Sequence, residues 1–290
     1  MRLVAVVLNW NGGADTLAAL ESLAGIESIC VDNGSSDGSA AEVARRFPAV
    51  ELIRTGANLG YAGGNNAGIR RALERGADWV LLLNQDAVAE PGLADALERV
   101  AASRPDAGVL ACKVLFEDGR TVMYAGASFN AWLGYSGRRV GYGGPDAFHE
   151  PRDVDRADGA AMALSRALLE RVGLLDEELF LYVEDVELSL RARAAGFTVV
   201  FVPDAVVRHR GSASTGGSAS TANMYYSTRN TIAVVERHRP LLPGLRGPRR
   251  AVIVGTHLAQ SHPSRLASAR AVLAGWRDAR AGRLGQSSSR

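Results

Sequence analysis

A chain of 290 residues, 47% hydrophobic and 22% charged, is long enough to bury a core as one large or two small domains. Its formal net charge of +2 excludes the strongly basic balance of a general nucleic-acid binder, and no window approaches the roughly 18 continuous apolar residues of a membrane span. Cys30 and Cys112 sit in apolar runs and read as buried structural thiols, not as a disulfide framework. With an N-terminus that enters "RLVAVVLNW" without a leader, they predict a cytoplasmic protein in a reducing compartment.

In chain order, apolar runs at 3–8, 28–32, 50–53 and 79–83 are bounded by turn residues and separated by "ADTLAALESLAG", "SAAEVARRF" and "AGIRRALERGA". The separating stretches carry apolar residues at three- and four-residue spacing. Strand alternating with helix predicts an α/β fold whose mostly parallel sheet is covered on both faces and binds ligands outside the carboxyl ends of its strands. Further strands are predicted in "AGVLACKVLF", "TVMYAGASF", "DGAAMALS" and "TVVFVPDAVVRH", and helices over 165–172 and 184–195. Residues 222–283 read as helix broken by a "RPLLPGLRGPRR" linker. Two Gly- or Ser-rich segments, 134–144 and 211–221, read as loops able to close over a ligand. From Arg237 onward there are 11 arginines and a single acid, Asp278, whereas Lys113 is the only lysine of the chain.

Polar residues mark the strand ends. The first ends in "LNWNGG", the second in "VDNGSSDGS" and the fourth in "LNQD". Ser36 or Asp37 is placed to cap the following helix, whereas Asp32 lies too early for a cap and is expected to accept a hydrogen bond from a nucleobase imide. "NLGYAGGNNAGIRR" is a glycine-rich turn feeding a helix, the kind of helix start that favours phosphate, though it fits neither the dinucleotide fingerprint nor the P-loop. Asp86 closes its apolar run either as a solvated strand end or as one ligand of a hard divalent cation whose shell is completed by a diphosphate. Glu184, Asp185 and Glu187 crowd one helix start, where acids complement the dipole and Glu187 pairs with Arg191 four residues on. Three acids there exceed what dipole compensation asks for and suit a general base. His209 closes the last strand and becomes a metal-ligand candidate only if the fold carries it to Asp86.

Taken together, "VVLNWNG", "CVDNGSSDGS", "NLGYAGGNNAGI", "LLLNQD", "LYVEDVELSLRARAAGF" and "VVRHRGSAS" resemble bacterial family 2 inverting glycosyltransferases, and within them the rhamnosyltransferase-like branch. The resemblance covers residues 3 to about 235. It implies a GT-A fold with a nucleotide-sugar-binding half at 1–100, an acceptor-binding and catalytic half at 101–235, and an Arg-rich helical extension at 236–290. It implies donor contacts for Asn9, Asp32, Asn58, Asn66 and Asn84, a divalent cation (Mg2+ or Mn2+) on Asp86 and His209, Asp185 as base and Glu184 as the neighbour that positions the acceptor. Asn84 departs from the family by replacing the first acid of its metal motif, which predicts weak metal binding without nucleotide. The implied partners are a dTDP- or UDP-sugar, best dTDP-rhamnose, and a glycan or lipid-linked acceptor, with the Arg-rich region touching an anionic membrane face. Two readings compete: a non-catalytic sugar- or nucleotide-binding module of the same fold, and a sugar-phosphate nucleotidyltransferase. The latter wants a basic residue after the first strand, which "NWNGGADT" lacks.

Overall fold

The computed structural model describes residues 1–130, 132, 134, 139–210, 220–260 and 265–287. Residues 135–138 and 211–219 lie outside the described residues, so the two closing loops expected from sequence, 134–144 and 211–221, are only partly within them.

The strands are β1 (Leu3–Asn9), β2 (Glu27–Asp32), β3 (Glu51–Arg54), β4 (Trp79–Asn84), β5 (Ala87–Ala89), β6 (Ala107–Leu115), β7 (Val122–Tyr124), β8 (Arg152–Asp153), β9 (Ala161–Ser165) and β10 (Thr198–His209). The helices are α1 (Gly13–Ser22), α2 (Ser39–Arg46), α3 (Gly60–Glu74), α4 (Leu93–Ser103), α5 (Arg166–Val172), α6 (Glu184–Ala194), α7 (Thr221–His238), α8 (Pro243–Gln260) and α9 (Arg265–Arg280). One sheet holds all ten strands, with main path β3-β2-β1-β4-β9-β6-β10-β5; β7 pairs with β6 and β8 with β10. β3, β2, β1 and β4 run parallel, as the strand–helix alternation predicts. β9 inserts antiparallel between β4 and β6, and β10 runs parallel to β6. The carboxyl ends of β1, β2, β4 and β10 therefore share one edge.

The core follows from composition. Val4–Val7, Val80–Leu82, Leu110–Cys112 and Val199–Val202 are buried on both faces of the sheet, which is why these strands read as continuous apolar runs and not as alternations. Each fully buried Val or Leu contributes about 1.5–3 kcal/mol. Cys30 and Cys112 are free and buried, and burial pushes both thiols up to about 12.

Two local expectations change and one, the Asp37 cap, holds. The glycine-rich stretch before Asn65 is already helix: α3 starts at Gly60. A Cβ at Gly64 would stand 2.4 Å from Leu8 Cδ1 and one at Gly68 2.3 Å from Val6 Cγ1, so these glycines let the helix lie flush on β1. The residue directly before α2 is Gly38, which has no side chain, and Asp37 caps from one position earlier as expected: it accepts from the Ser39 amide (3.0 Å) and, across the loop, from the Gly13 amide (3.1 Å). The segment read as a linker is mostly helical, because α8 starts at Pro243, where a missing amide proton costs nothing in a first turn. β5 and β8 are too short to be read from the sequence, whereas α4 was passed over although Leu93, Ala96, Leu97 and Val100 fall at helical spacing and are buried. No helix among the described residues is long and apolar enough to cross a membrane.

Candidate active site

A cleft of about 1760 Å³ opens across the carboxyl ends of the strands. That exceeds the roughly 300–1,000 Å³ of a single small-ligand site and suits two substrates side by side.

On its first wall, the loops after β1 and β2 are tied to each other. Asn9, wholly buried, donates to Asp32 (3.2 Å), Ser35 (3.1 Å) and Ser39 (2.8 Å). Asp32 also accepts from the Ser35 amide (3.2 Å). Asn66 donates to the Leu175 carbonyl (2.9 Å) and to Glu177 (2.8 Å). Asn9, Asp32 and Asn66 thus brace the loops from behind, while Trp10, Asn11, Asn33 and Gly34 form the surface that faces the cleft. Asn33 is a residue the sequence reading passed over: it donates to Asn58 (3.2 Å) and accepts from the Leu59 amide (3.0 Å). Asn58 reaches the wall and accepts from the Gly60 amide (2.8 Å).

The start of α3 is not open to phosphate. The Tyr61 and Ala62 amides point at the Phe180 carbonyl, at 2.7 and 3.4 Å. Gly60, at φ +74°, permits this approach, since a Cβ there would lie 2.2 Å from the same oxygen.

On the floor, β4 ends at Asn84 and the chain turns through Gln85 and Asp86 into β5. β5 pairs antiparallel with β10, with Ala87 opposite His209, and this register delivers Asp86 to the histidine. His209 Nε2 lies 2.9 Å from Asp86 Oδ1, and both side chains are buried. Gln85 bonds the Trp10 backbone on both sides, at 2.7 and 3.3 Å, and so locks the β1 and β4 loops together. An imidazole nitrogen and a carboxylate oxygen here form two corners of a shell that fits a divalent cation. Among the described residues no third His, Cys, Asp or Glu joins them, so a cation held here would take its other ligands from water or substrate oxygens.

On the opposite wall stand Glu184 and Asp185, at the start of α6. Asp185 accepts from the Gly159 amide (2.9 Å), and the Gly159 carbonyl accepts from Tyr61 Oη (2.6 Å). Burial raises the pKa of Asp185 against the pull of Arg156, so burial and not the helix dipole dominates its charge. Glu184 is driven well above the ordinary range by burial and then by the Asp185 charge, and its Oε2 has no hydrogen-bond partner among the described residues. Glu187, by contrast, belongs to the scaffold. It makes the expected pair with Arg191 (2.7 Å) and accepts from His238 of α7 (2.9 Å).

Asp158, Arg139 and Arg156 were not singled out from sequence. Because β9 runs antiparallel to β4, the residues preceding Ala161 come level with Asn84, whose amide donates to the Ala160 carbonyl (3.0 Å). Burial works against the Asp158 charge, but Arg139, at 3.3 Å, and Arg156 outweigh it and hold its pKa low. The signal was present as the "DG" that opens "DGAAMALS", but its meaning depended on strand direction.

Residues 3–229 match the family described as glycosyltransferase like family 2. An N-acetylglucosaminyl-diphospho-decaprenol L-rhamnosyltransferase of Mycobacterium tuberculosis is 30% identical over 256 residues, 82% of this chain and 82% of that protein. A low-salt glycan biosynthesis hexosyltransferase of Haloferax volcanii is 28% identical over 196 residues, 67% of this chain and 62% of that protein. Among solved structures, the Pyrobaculum calidifontis mannosyltransferase in complex with GDP-mannose and Mn2+ superposes with a TM-score of 0.58 at 18% identity, over 97% of this chain and 82% of that one. At that identity the likeness speaks for the fold, which is GT-A.

Proposed function

Since the chain belongs to glycosyltransferase family 2, we propose that it moves rhamnose from dTDP-rhamnose to a hydroxyl of a lipid-linked glycan, with inversion and with help from Mg2+ or Mn2+. The observation that carries this reading is the convergence, on one cleft wide enough for two substrates, of the Asp86–His209 pair and the Glu184–Asp185 pair. The donor assignment leans on the relative named as a rhamnosyltransferase, and the acceptor assignment on the decaprenyl diphosphate in that relative's name.

In this reading residues 1–100 bind the donor, 101–235 bind the acceptor and carry catalysis, and 236–290 support them. Asn58 and Asn84 line the donor side, with Asn9, Asp32 and Asn66 shaping their loops from behind. Asp86 and His209 would hold the divalent cation, which when bound would supply the positive charge that neutralises a leaving diphosphate. Asp185 takes the proton of the acceptor hydroxyl as its oxygen attacks the anomeric carbon, and the bond from that carbon to the diphosphate breaks on the opposite face. One displacement inverts the centre and needs no covalent intermediate. The carbon passes through an oxocarbenium-like state. Glu184, beside Asp185, orients the acceptor. At the turn into α8, exposed Leu242 and Leu245 lie between exposed Arg239 and Arg246 in the chain, a stretch suited to an anionic bilayer at the cytoplasmic face.

The test is nucleotide release across a panel of dTDP-, UDP- and GDP-sugars with Mg2+ or Mn2+, followed by transfer to polyprenyl-diphosphate-linked N-acetylglucosamine. Release from dTDP-rhamnose above all others is expected. Preference for another donor overturns the rhamnose assignment, and full activity in EDTA overturns the metal assignment.

A further inference from the structure

Between the 3-10 turn Glu177–Leu179 and α6, the chain reads Phe180-Leu181-Tyr182-Val183, and it follows a path that L-residues avoid. Phe180, Tyr182 and Val183 have φ of 62°, 69° and 77°, and none is glycine. A β-branched valine in this region is a true outlier. Strain of this kind persists only where surrounding structure over-determines it, and it gathers at working sites. Here the residues directly after the strained run are Glu184 and Asp185.

What holds the run comes from α7. Asn230 is completely buried, and its amide nitrogen donates to the carbonyls of Leu179 (2.9 Å), Leu181 (2.9 Å) and Tyr182 (2.8 Å). Two protons are thus shared among three carbonyls of one short segment. The neighbouring Arg229 fixes which way the amide faces, because its Nε donates to Asn230 Oδ1 (2.8 Å). Arg229 also donates through Nη2 to the Leu179 carbonyl (3.0 Å) and through Nη1 to the Gly285 carbonyl (2.6 Å). Its guanidinium lies 4.9 Å from the Tyr226 ring centre and 5.5 Å from that of Tyr225. From the other side, the Tyr61 amide closes on the Phe180 carbonyl (2.7 Å).

A buried arginine normally has a carboxylate partner. Among the described residues Arg229 has none, and its hydrogen bonds go to carbonyl oxygens on the strained segment, on Asn230 and on the C-terminal tail. For bare stability, an apolar pair packed at this place would do better than a desolvated cation. What this pair supplies that an apolar pair does not is direction: it grips the carbonyls of Leu179, Leu181 and Tyr182, just before α6 begins.

We infer that Arg229 and Asn230 are positioning residues, a clamp that holds Leu179–Val183 in its left-handed path and thereby aims Asp185 and Glu184 into the cleft. The inference rests on the reading of Asp185 as the base. It places the clamp more than forty residues away in sequence, on a helix that reaches the site from behind, and it makes the C-terminal tail at Gly285 part of the support.

The test compares Asn230→Ala, Asn230→Ser and Asp185→Asn in the full chain, reading transfer kinetics, dTDP affinity with Mn2+, and the pH–rate profile. Asn230→Ala is expected to lower kcat roughly 10–100-fold, the size of effect an ångström of misplacement causes. Its dTDP affinity should stay near wild type and the acid limb of its pH profile should move. Asn230→Ser, which keeps one donor, should recover part of kcat. Should Asn230→Ala not fold, Arg229→Lys carries the same comparison, since it keeps the buried charge and loses the bond to Asn230. Wild-type kcat in these variants while Asp185→Asn is inactive would overturn the clamp, as would kcat and dTDP affinity falling in equal proportion. Full transfer by Asp185→Asn would overturn the base assignment beneath it.

Discussion

His209 Nε2 stands 2.9 Å from Asp86 Oδ1, across 123 residues of sequence. Two hydrogen-bonding features make this contact. The chain reverses after β4 so that β5 runs along the edge of β10 with Ala87 opposite His209, and the Arg210 amide donates to the Asp86 carbonyl (3.2 Å). This is the pair to which the proposed function gives the divalent cation.

The first prediction concerns that pair. Asp86→Ala should abolish the enhancement of dTDP binding by Mn2+. His209→Ala should weaken it by at least the roughly 10–100-fold that even an outer-shell partner of a metal is worth. Calorimetric titration with dTDP, with and without Mn2+, checks both. Because Asn84 stands where a second acid would add charge, Mn2+ alone should bind the wild-type protein only weakly, and tight binding in the absence of dTDP would contradict this.

Asp185→Asn should lower transfer by about 10²–10⁴, the usual contribution of a general base. The direction of pH dependence follows from burial, which raises the Asp185 pKa. As pH falls, the base is protonated sooner than an ordinary aspartate, so the acid limb of kcat should lie above the value of about 3.9 expected of an exposed group.

Glu184 sets activity against stability. Its folded pKa is well above the unfolded one, so above the unfolded value the folded state binds more protons, and stability falls as pH rises through that window. Glu184→Gln removes the dependence and keeps the shape. It should raise stability near neutral pH, because the amide is buried without having to take up a proton, and each unit of pKa elevation so removed is worth about 1.4 kcal/mol. Urea unfolding at pH 5 and pH 8 should show the gain growing with pH, while transfer declines.

Glu187 behaves in the opposite sense. Burial pushes its pKa up, but the bonds from His238 and Arg191 outweigh that and leave it below the ordinary value. The stabilisation it provides is therefore present above the unfolded pKa and lost as pH falls through the lowered folded one. Glu187→Gln should destabilise the fold by about 3 kcal/mol at neutral pH, the cost of breaking a buried ion pair from one side, with the deficit shrinking in acid. Chemical denaturation across pH 3–7 reads this directly.

The surface at the α7–α8 turn can be tested without disturbing the core. Leu242, 75% exposed and just before α8, and Arg246 on α8 are solvent-facing, whereas Ile253 farther along α8 is buried. Replacing Leu242 and Leu245 with Ser, and Arg239 and Arg246 with Glu, should release the protein from vesicles containing anionic lipid. With near 1 kcal/mol per basic residue at such a surface, the charge reversal should dominate at low salt. Equal sedimentation of wild type and variant would remove the membrane from the proposal.

The sequence by itself determined the layout: alternating runs and helix faces named the parallel sheet, the strand ends named the edge where the cleft lies, and the four-residue spacing of Glu187 and Arg191 named their ion pair. These are local properties, written in period and propensity. Asp86, His209, Glu184 and Asp185 could be nominated individually, because acids and a histidine at strand and helix ends are chemically conspicuous. What only the tertiary structure decided was direction and register. Antiparallel β9 brings Asp158 to the level of Asn84, the β5–β10 register joins Asp86 to His209, and packing behind the loops turns Asn9, Asp32 and Asn66 away from the cleft while Asn33 faces it. The strained approach to Glu184 is the sharpest case. Nothing in "LFLYVED" announces a left-handed path, because the energy that permits it comes from Asn230 on α7, and a contact between segments so far apart along the chain leaves no periodic trace in either of them.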